Sequence, residues 1–503
     1  MALGSISFEQ EPVDATDKVP VITNWNPVIG YMLFNDDISG LFYFKLVLEV
    51  YSELGTTDTM LVAKIRQRRN GYPADNAGGT QRARALFDLR DIINSLLVDT
   101  NYDQNNSSKK PIHSLGGNVA AKIFSKNGDN SQYYGNGTTT KTQILGVRVK
   151  GYQNYSSSVS ESPSDDDTPS VTGDSFYMAA SLPLETARST DLTPTAYIQS
   201  DVFAKYKTSS SSNLFLSDAN NINTGGQIEQ SVLENDLHTV AFLNDNTKFV
   251  SSIQWIKIIY YDSSDAAIGN PQFIANSLAN GGLDPNSTTT DVNRIIYFGC
   301  GPGNLQASTV DAYSSAGTVA GGARPSNFSG WAYYTIVGVD SNIVVTEKTK
   351  TYKFIKQDGS CKGYKVRRLA WRNSLGAWDY FNFTKKSSQT IKIERNTYST
   401  LIGNFNEQLY TYSNLQRGKN TRQTTAMLEE TINTDWLDES DTILIENLLK
   451  STNAQIVTNA DTDNSVPVMV TDSAFIRKTV ANDNIKIQYT IRLQYANPIN
   501  TNS

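Results

Sequence analysis

Apolar and polar positions follow two different periods near the start of the chain. Between residues 42 and 51, apolar side chains occupy every second position, and several intervening positions are apolar as well, which is typical of a β-strand. Residues 88–97 change to helical spacing, and Asp88 stands where a helix N-cap is expected. We therefore predict that residues 1–100 form a small β-sandwich module that ends in one short helix.

The middle of the chain divides into an irregular region and a strand-rich region. Residues 101–245 contain a strand over 144–155, followed by an acidic, Ser-rich stretch over 156–174 that indicates an exposed mobile loop or linker. From residue 246 to residue 400, strands recur about every ten residues, as in a β-sandwich. We predict a loop-rich β region for 101–245 and a second sandwich module for 246–400.

Residues 401–503 combine one helix with alternating strands, and we predict an α+β module. The spacing predicts a helix over 436–451, with an apolar stripe made of Ile445, Leu448 and Leu449. Carboxylates suit the first turn of a helix because they face its positive end, and three are placed there: Asp438, Glu439 and Asp441. From Ile485 to Tyr495 the strict alternation predicts a strand with one buried face and one wet face.

Composition and charge support a mainly β fold and disfavour a bulk nucleic-acid binder. The 503 residues include 26 Tyr but only 19% charged side chains, a mixture that favours strands joined by long polar loops. The net charge of −6 supplies no basic field for nucleic acid. No apolar run approaches the ~18 residues of a membrane span, and the N-terminus shows no secretory signal. We expect a soluble protein made in a cytoplasm.

A glycine-rich turn after a predicted strand is the sharpest enzymatic candidate. Gly299, Gly301 and Gly303 have the G-x-G-x-G spacing of S-adenosylmethionine-dependent methyltransferases. Tyr297 stands where that family usually has an acid, and the following residues do not form an amphipathic helix. The alternative that we favour is a tight turn with positive φ angles, so we expect no cofactor. The two cysteines allow one disulfide, but two reduced, buried thiols are the preferred interpretation: Cys300 and Cys361.

Histidine is too scarce for most metal sites and catalytic triads. The chain has only His113 and His238, and a lone His in a polar loop is usually solvated. Hydrolysis by paired carboxylates needs no His, and it stays open as an alternative. The acidic candidates are Asp165, Asp166 and Asp167 in the linker, Asp262 and Asp265 at a strand end, and Asp379 among aromatic residues. Burial would raise the pKa of Asp379.

Basic clusters and tyrosines offer candidate binding surfaces. The basic clusters are Lys64/Arg66/Arg68/Arg69, Lys365/Arg367/Arg368/Arg372 and Arg417/Lys419/Arg422. We interpret them as solvent faces or as contacts with acidic neighbours in an assembly. We expect exposed tyrosines in Tyr-rich loops, which suit either sugars or protein interfaces, at Tyr133, Tyr134, Tyr152 and Tyr155.

The stretch LAWRNSLGAWDYFNF, residues 369–383, predicts two antiparallel strands around a turn. Gly376 suits the tight turn, and Trp378 or Phe381 is expected to fill a core. Asp379 is expected to hydrogen-bond a turn amide or to pair with Arg372. We interpret the motif as a fold signature that consists of Arg372, Asn373, Leu375, Gly376, Trp378, Asp379, Phe381 and Phe383.

Three stretches together resemble the virion structural proteins of tailed bacteriophages, in particular tail or baseplate-associated proteins of marine cyanophages. They are the N-terminal FKLVLEV, AKIRQRRNGYP and FDLRDIINS, the motif R-N-x-L-G-x-W-D-x-F-x-F, and the end from TDWLDESDTILIENLLKS to the last strand. They cover about half the chain. Ala377 stands where relatives usually have a second Gly. The resemblance implies a non-enzymatic particle component built from β-sandwich modules, without catalytic, cofactor or metal residues.

We therefore expect a mainly β chain with several Ig-like β-sandwich modules, long polar loops, one short helix in the N-terminal module and a longer C-terminal helix. We expect it in the virion tail, assembled in the host cytoplasm, as a ring-forming oligomer bound to tail tube, baseplate, neck or fibre proteins. We expect no direct nucleic-acid contact and no membrane insertion. The alternatives are a receptor- or glycan-binding tail appendage and, more remotely, a carbohydrate hydrolase or methyltransferase.

Overall fold

β-Strands make up most of the described part of the chain, so the mainly β fold class is confirmed. The structure is a computed structural model, and it describes residues 6–10, 21–22, 29–34, 41–52, 60–68, 83–96, 123–125, 144–165, 169–171, 175–178, 207–209, 212–213, 215–221, 227–244, 253, 255–275, 294–305, 313–315, 330–340, 345–357, 363–405, 407–437, 441–457, 465–474, 476 and 487–502.

The N-terminal part forms two sheets and one short helix. One sheet has the order β1-β3-β6, and the other has the order β2-β11-β8-β4-β5 with β9 and β10 also paired to β8. The elements are β1 Ile6–Gln10, β2 Val21–Ile22, β3 Ile29–Phe34, β4 Phe42–Ser52, β5 Met60–Arg68, β6 Ala83–Asp88, α1 Arg90–Leu96, β7 Ile123–Ser125, β8 Ile144–Ser156, β9 Ser164–Asp165, β10 Ser170–Val171 and β11 Ser175–Met178.

The predicted alternation of the first long strand and the helix behind Asp88 are both confirmed. In β4, Leu46, Leu48 and Val50 are buried in a core that also includes Ile93 of α1. The Asp88 carboxylate accepts a hydrogen bond from the backbone N–H of Arg90 at 3.0 Å, as a helix cap does. The apolar face of the sheet and the apolar face of the helix therefore cover each other.

The sheets do not coincide with the predicted boundary at residue 100. Strand β8 lies beside β4 along nine paired positions, and Val147 and Val149 enter the same core. Part of the stretch 156–174, predicted as a mobile linker, folds back along β8, because β9 pairs with Asn154 and Tyr155 and β10 pairs with Lys150 and Gly151. Long-range pairing of this kind leaves no local signal in the sequence.

Three larger sheets and two small ones are built from the strands among the remaining elements. They are β12 Lys207–Ser209, β13 Ser212–Asn213, the 3-10 helix η1 Asp218–Asn221, β14 Gln227–Val232, β15 Thr239–Asn244, β16 Trp255–Tyr261, β17 Gln272–Ala275, β18 Arg294–Gly299, α2 Pro302–Leu305, β19 Tyr313–Ser315, β20 Tyr333–Val339, β21 Thr351–Lys356, β22 Arg367–Arg372, β23 Trp378–Phe383, β24 Ser388–Ser399, β25 Asn404–Phe405, β26 Tyr410–Thr411, β27 Lys419–Asn433, α3 Thr442–Lys450, β28 Ala454–Val457, β29 Ser465–Val470, β30 Thr490–Tyr495 and β31 Asn500–Asn502.

One buried cluster joins these sheets. The strand orders are β14-β21-β20-β16-β17-β19, then β15-β18-β7, and then β23-β22-β28-β29-β30-β27-β24 with β31 paired to β27; β12-β13 and β25-β26 are two-stranded. The pair β14 and β21 is parallel, whereas the eight-stranded sheet is antiparallel throughout. The cluster contains residues from Phe215 to Leu493, so it takes side chains from both sides of the predicted boundaries at 245 and 400.

The C-terminal helix is shorter than the predicted 436–451. It spans Thr442–Lys450 with Asp441 as its N-cap residue, so Asp441 precedes the first turn instead of lying in it. Residues 438 and 439 lie outside the described residues. Its predicted stripe is confirmed, because Ile445 and Leu448 are buried and Leu449 packs against the core.

The alternating last strand is confirmed in its described part. Ile487, Tyr489, Ile491 and Leu493 are all buried, whereas Arg492 is exposed. Regular strand geometry begins only at Thr490, and Ile487 forms an isolated antiparallel bridge with Leu437. Residue 485, the first member of the predicted series, lies outside the described residues.

Candidate functional site

The aromatic motif forms the predicted antiparallel hairpin. Strands β22 and β23 pair with Arg372 opposite Trp378. The Asn373 side-chain oxygen accepts hydrogen bonds from the backbone N–H groups of Leu375 at 3.1 Å and Ala377 at 2.9 Å. Gly376 has a φ of 83°, a left-handed conformation that a residue with a Cβ adopts only with strain. The turn is therefore fixed by one side chain and one glycine.

The hairpin is a buried part of the body, as we predicted for Trp378. Trp378 is 2% exposed and Phe383 is 1% exposed, while Phe381 is partly buried against the core. The Asn373 side-chain amide donates to the backbone oxygen of Leu216 at 2.8 Å. The motif thus holds the segment that precedes η1, which lies more than 150 residues away along the chain.

Asp379 binds this same segment. Its carboxylate accepts a hydrogen bond from the backbone N–H of Asp218 at 2.9 Å, and Ser217 and Asn373 also hydrogen-bond to it. The register puts Asp379 opposite Trp371 and puts Arg372 opposite Trp378, so Asp379 and Arg372 face opposite sides of the hairpin. Asp379 therefore joins the hairpin to residues 217–218, and the turn is closed by Asn373.

Asp218 is a second buried carboxyl next to Asp379. It accepts hydrogen bonds from the backbone N–H of Ser374 at 3.0 Å and from the Ser374 hydroxyl, and the Asn447 side chain of α3 also bonds to it. The carboxyl pair therefore ties together η1, the hairpin turn and α3. Sequence reasoning missed Asp218 because its partners come from two distant segments, the hairpin and α3.

Burial raises the pKa of both carboxyls. For Asp379, desolvation is the largest cause and the neighbouring Asp218 charge adds to it, which raises the pKa to about 7. For Asp218, desolvation also outweighs the hydrogen bonds from Ser374 and Asn447, and the pKa is raised. The expectation that burial raises the pKa of Asp379 is confirmed. Because the two carboxyls interact, their protons are lost in steps that belong to the pair rather than to either residue.

A second buried polar cluster surrounds Arg368. The guanidinium pairs with Asp236 at 3.1 Å, and the two side chains are only 5% and 4% exposed. It also donates to the backbone oxygen of Leu237 at 3.0 Å and to the Asn382 side-chain oxygen at 2.9 Å. The predicted solvent face of the cluster 365–372 is therefore wrong for Arg368, because β22 is covered on both faces.

His238 belongs to the same cluster, and its predicted position in a solvated loop is wrong. It is 2% exposed, and its Nδ1 lies 3.0 Å from the Arg368 Nη2. Because a guanidinium only donates, Nδ1 accepts and the ring proton is on Nε2. The ring packs against Tyr380 at a centroid distance of 4.2 Å. His113 lies outside the described residues.

The glycine-rich turn has a packing explanation that differs from the predicted one. Gly301 and Gly303 do not have positive φ angles. Instead, a Cβ on Gly301 would overlap the Asp236 backbone oxygen, and a Cβ on Gly303 would lie 2.6 Å from the Asn235 backbone oxygen. The glycines therefore allow the one-turn helix α2 to approach the backbone of residues 235–238.

The two cysteine positions are only partly described. Cys300 is a buried free thiol, and burial raises its pKa well above the usual range. Its backbone oxygen accepts a hydrogen bond from the Tyr334 hydroxyl at 2.7 Å. These features agree with the predicted reduced, buried thiol. Cys361 lies outside the described residues.

The other acidic candidates shape local structure. Asp262 accepts hydrogen bonds from the backbone N–H groups of Ser264 and Ala266, which closes a turn that includes Asp265 with a φ of 61°. Asp165, predicted in a solvated run, pairs with Lys64 at 2.9 Å. Residues 166 and 167 lie outside the described residues. These carboxylates act as turn and sheet partners.

The Lys64 ammonium stands between two carboxylates on the N-terminal sheet. It lies 2.9 Å from Asp165 and 3.2 Å from Glu49, and Glu49 also accepts hydrogen bonds from Tyr51 and Tyr152. Tyr152 is 6% exposed on β8, so the prediction that it lies in an exposed loop is wrong. Tyr155 stacks on Phe44, and residues 133 and 134 lie outside the described residues.

The remaining basic candidates divide between buried and exposed positions. Arg367 pairs with the buried Glu430 at 2.5 Å, so it belongs to the body rather than to a solvent face. By contrast, Arg417, Lys419 and Arg422 are exposed. They lie near the outer end of a long hairpin formed by β24 and β27, which sequence reasoning did not predict as a unit.

No family model matches this chain, and no curated protein matches it either. The described residues contain no group of three or more His, Cys, Asp or Glu side chains that could hold a metal ion. No helix in the described part of the chain is long and apolar enough to cross a membrane.

In contrast to the buried aromatic hairpin, the hairpin formed by β24 and β27 is exposed. We call residues 388–429 the arm. All 12 residues of β24 are exposed, and β24 pairs with β27 from Ser388–Thr431 to Ser399–Lys419. Large apolar side chains are exposed along it and at its tip: Ile391, Ile393, Tyr398, Leu401, Ile402, Phe405, Leu409, Tyr410, Tyr412 and Leu415. These exposed side chains make the arm the candidate interaction surface.

A groove with mixed apolar and polar walls lies on the described part of the body. It has a volume of about 270 Å³ and lies between α3 and the segment after β29. Ile445, Leu449 and Tyr489 supply apolar surface, Asp472 supplies a carboxylate, and Ile476 at its margin is 74% exposed. The volume is just below the usual range for drug-sized ligands and suits one or two side chains of a protein partner.

Proposed function

We propose that this chain is a structural component of a tailed-phage virion, a tail, baseplate or neck-associated protein that connects neighbouring particle proteins and can anchor a fibre. The observation that carries the proposal is the arm: a 12-residue strand whose side chains are all exposed, with a tip rich in Leu, Ile, Phe and Tyr. Such a surface is costly to leave in water and is typical of a subunit that is covered in an assembly.

The buried motif supports the same proposal. Its residues carry the resemblance to tail and baseplate proteins, and they close a turn, fill the core and hold residues 216–218. These are roles in building a body rather than in binding a small molecule. A packed body with an exposed hairpin is suited to connecting subunits.

The alternative of a receptor- or glycan-binding appendage is favoured by one observation. Tyr398, Tyr410 and Tyr412 are between 44% and 73% exposed on the arm, and exposed aromatic rings stack on sugars as well as on proteins. Trp378, in contrast, is buried and unavailable to a ligand. A glycan array with the purified chain and the Tyr412→Ala variant tests this alternative, which fails if neither binds.

The decisive experiment locates the chain in the particle. Antiserum against the purified chain, applied to intact virions of the phage that encodes it, is expected to label the tail, and quantitative mass spectrometry is expected to give several copies per particle. Absence of the chain from purified virions contradicts the proposal. A capsid-shell or injected-interior location would contradict the tail assignment while keeping the structural role.

A further inference from the structure

We propose that the arm of one copy of this chain binds the body of a second copy, with the arm tip in the groove between α3 and the segment after β29. This inference deepens the proposed function, and it rests on that function because a connecting protein must contact its neighbours.

The face of β27 that is buried in the body continues into the arm. Ile432 of β27 is buried opposite Ile491 of β30, and the same face bears Glu430, which is 1% exposed opposite Leu493. Side chains alternate between faces, so positions 428 and 426 lie on this face too. The core face therefore continues along β27 into the arm.

Beyond Glu430 this face is apolar, and it is half-buried on β27 but exposed on β24. Ile391 opposes Leu428, and Ile393 opposes Ala426. Ile391 is 57% exposed and Ile393 is 46% exposed, although both stand on the same face as the buried Glu430 and Ile432 of β27. The described residues of the same chain leave this surface open, so its apolar pattern is best explained by another protein surface.

Charge identifies the partner as acidic. Residues 395–422 contain four basic side chains and one acidic side chain, a net charge of +3, on a chain of net charge −6. Everything outside this stretch therefore carries −9. A basic tip on an acidic body repels a neighbouring tip and attracts a neighbouring body, which favours a head-to-tail contact between copies. The interspersed Leu and Phe side chains favour a protein over a nucleic acid.

The groove offers matching chemistry on the body. Its walls combine apolar side chains, among them Leu449 and Ile476, with polar ones, and Asp472 places one carboxylate there. At the arm tip, Leu415 is 93% exposed and Arg417 follows two residues later. An apolar side chain next to a cation fits a groove that combines apolar side chains with a carboxylate.

The test measures self-association of the full-length chain by sedimentation velocity across a concentration series. The wild-type chain is expected to form oligomers, and the Leu415→Ser and Arg417→Glu variants are each expected to weaken association by at least about tenfold, or ~1.4 kcal/mol. Both sites are exposed, so circular dichroism is expected to be unchanged. Val159→Ser, a change at a 60% exposed apolar site outside the arm, is the matched control.

A charge exchange tests the receiving site. Asp472→Lys alone is expected to weaken association, and the double variant Arg417→Glu/Asp472→Lys is expected to recover most of it because the pair is restored with opposite signs. A monomeric wild-type chain, or arm variants that associate like the wild type, overturns the proposal. Loss of association without recovery in the double variant overturns the groove as the receiving site.

The two proposals fail in different ways. If virions contain the chain but arm variants oligomerise normally, the arm contact is wrong and the proposed function stands. If the purified chain associates through its arm but virions lack it, the proposed function is wrong and the arm contact stands. Retention of the arm by heparin or DNA instead of by a second copy would contradict the assignment of an acidic protein surface as its partner.

Discussion

The backbone N–H of Asp218 donates to the carboxylate of Asp379 at 2.9 Å, so two buried carboxyl side chains lie together between η1 and the aromatic hairpin. The hydrogen bonds of Ser374 and Asn447 fix Asp218, while Ser217 and Asn373 fix Asp379. This arrangement makes the stability of the body sensitive to pH.

The Asp379→Asn variant is expected to lose a pH dependence that the wild type has. The pKa of Asp379 is raised from 3.8 to about 7 in the fold, so the folded state holds an extra proton between these values. The protonated Asp379 carboxyl stabilises the fold fully below about pH 4. This contribution is lost as the pH rises through 7, at up to ~1.4 kcal/mol per pH unit. Thermal unfolding from pH 4 to pH 8 measures this.

The readout is the difference in Tm between the variant and the wild type. The Tm of Asp379→Asn is expected to rise relative to the Tm of the wild type as the pH rises, because Asn keeps an oxygen acceptor without a charge. Glu161→Gln, at an exposed position, is the control and is expected to give a constant difference. Parallel pH profiles for Asp379→Asn and the wild type would show that folding does not raise the pKa of Asp379.

The Arg368→Met variant is expected to destabilise the fold by about 3–5 kcal/mol, because it leaves the buried carboxylate of Asp236 without its cation. Urea denaturation measures the free energy of unfolding. Lys365→Met, three residues earlier at an exposed position, is the matched control and is expected to stay within about 0.5 kcal/mol of the wild type.

A double-mutant cycle separates this pair from general packing. If Arg368 acts through Asp236, the Arg368→Met/Asp236→Asn double variant is expected to be less destabilised than the sum of the single variants, by at least about 1 kcal/mol. Strict additivity would assign the cost to the contacts of Arg368 with Leu237, Asn382 and His238 instead.

Local patterns predicted the elements well, and long-range contacts explain what they missed. The strand at Phe42, the helix behind Asp88 and the turn at Gly376 follow from period, capping and φ preference, which are properties of neighbouring residues. The burial of Arg368 and His238 depends on segments that lie about 130 residues apart. No local pattern distinguishes a solvated basic strand from one that is covered on both faces.

Part of the candidate site could likewise be predicted from the sequence, and part of it could not. Burial of Trp378 was predictable because an aromatic-rich strand pair needs a core, but the role of Asp218 was not, since η1 has no sequence signal that links it to residue 379. The arm was missed because β24 and β27 are polar-rich strands separated by 19 residues, whereas their apolar positions become meaningful only when register places Ile391 opposite Leu428.

The Gly301→Ala variant is expected to destabilise the fold by more than the ~1 kcal/mol that a simple backbone effect gives. Its new methyl group would overlap the backbone of Asp236 and His238, which are held by the Arg368 cluster and cannot retreat. Gly330→Ala is the matched control, because a Cβ there meets nothing within 4 Å and no positive φ opposes it. Equal midpoints in urea for both variants would contradict this close approach.

The Asn373→Ala variant is expected to cost about 2–4 kcal/mol, because its side chain makes buried hydrogen bonds that close the turn and that hold Leu216 and Asp379. Asn396→Ala, on the exposed strand β24, is the control and is expected to change stability by less than about 0.5 kcal/mol. Hydrogen exchange adds a local readout: the Asp218 amide, bonded to Asp379, should lose protection in Asn373→Ala more than amides of β4 do. Uniform loss across both regions would show that the turn stabilises the whole fold and does not specifically hold residues 216–218.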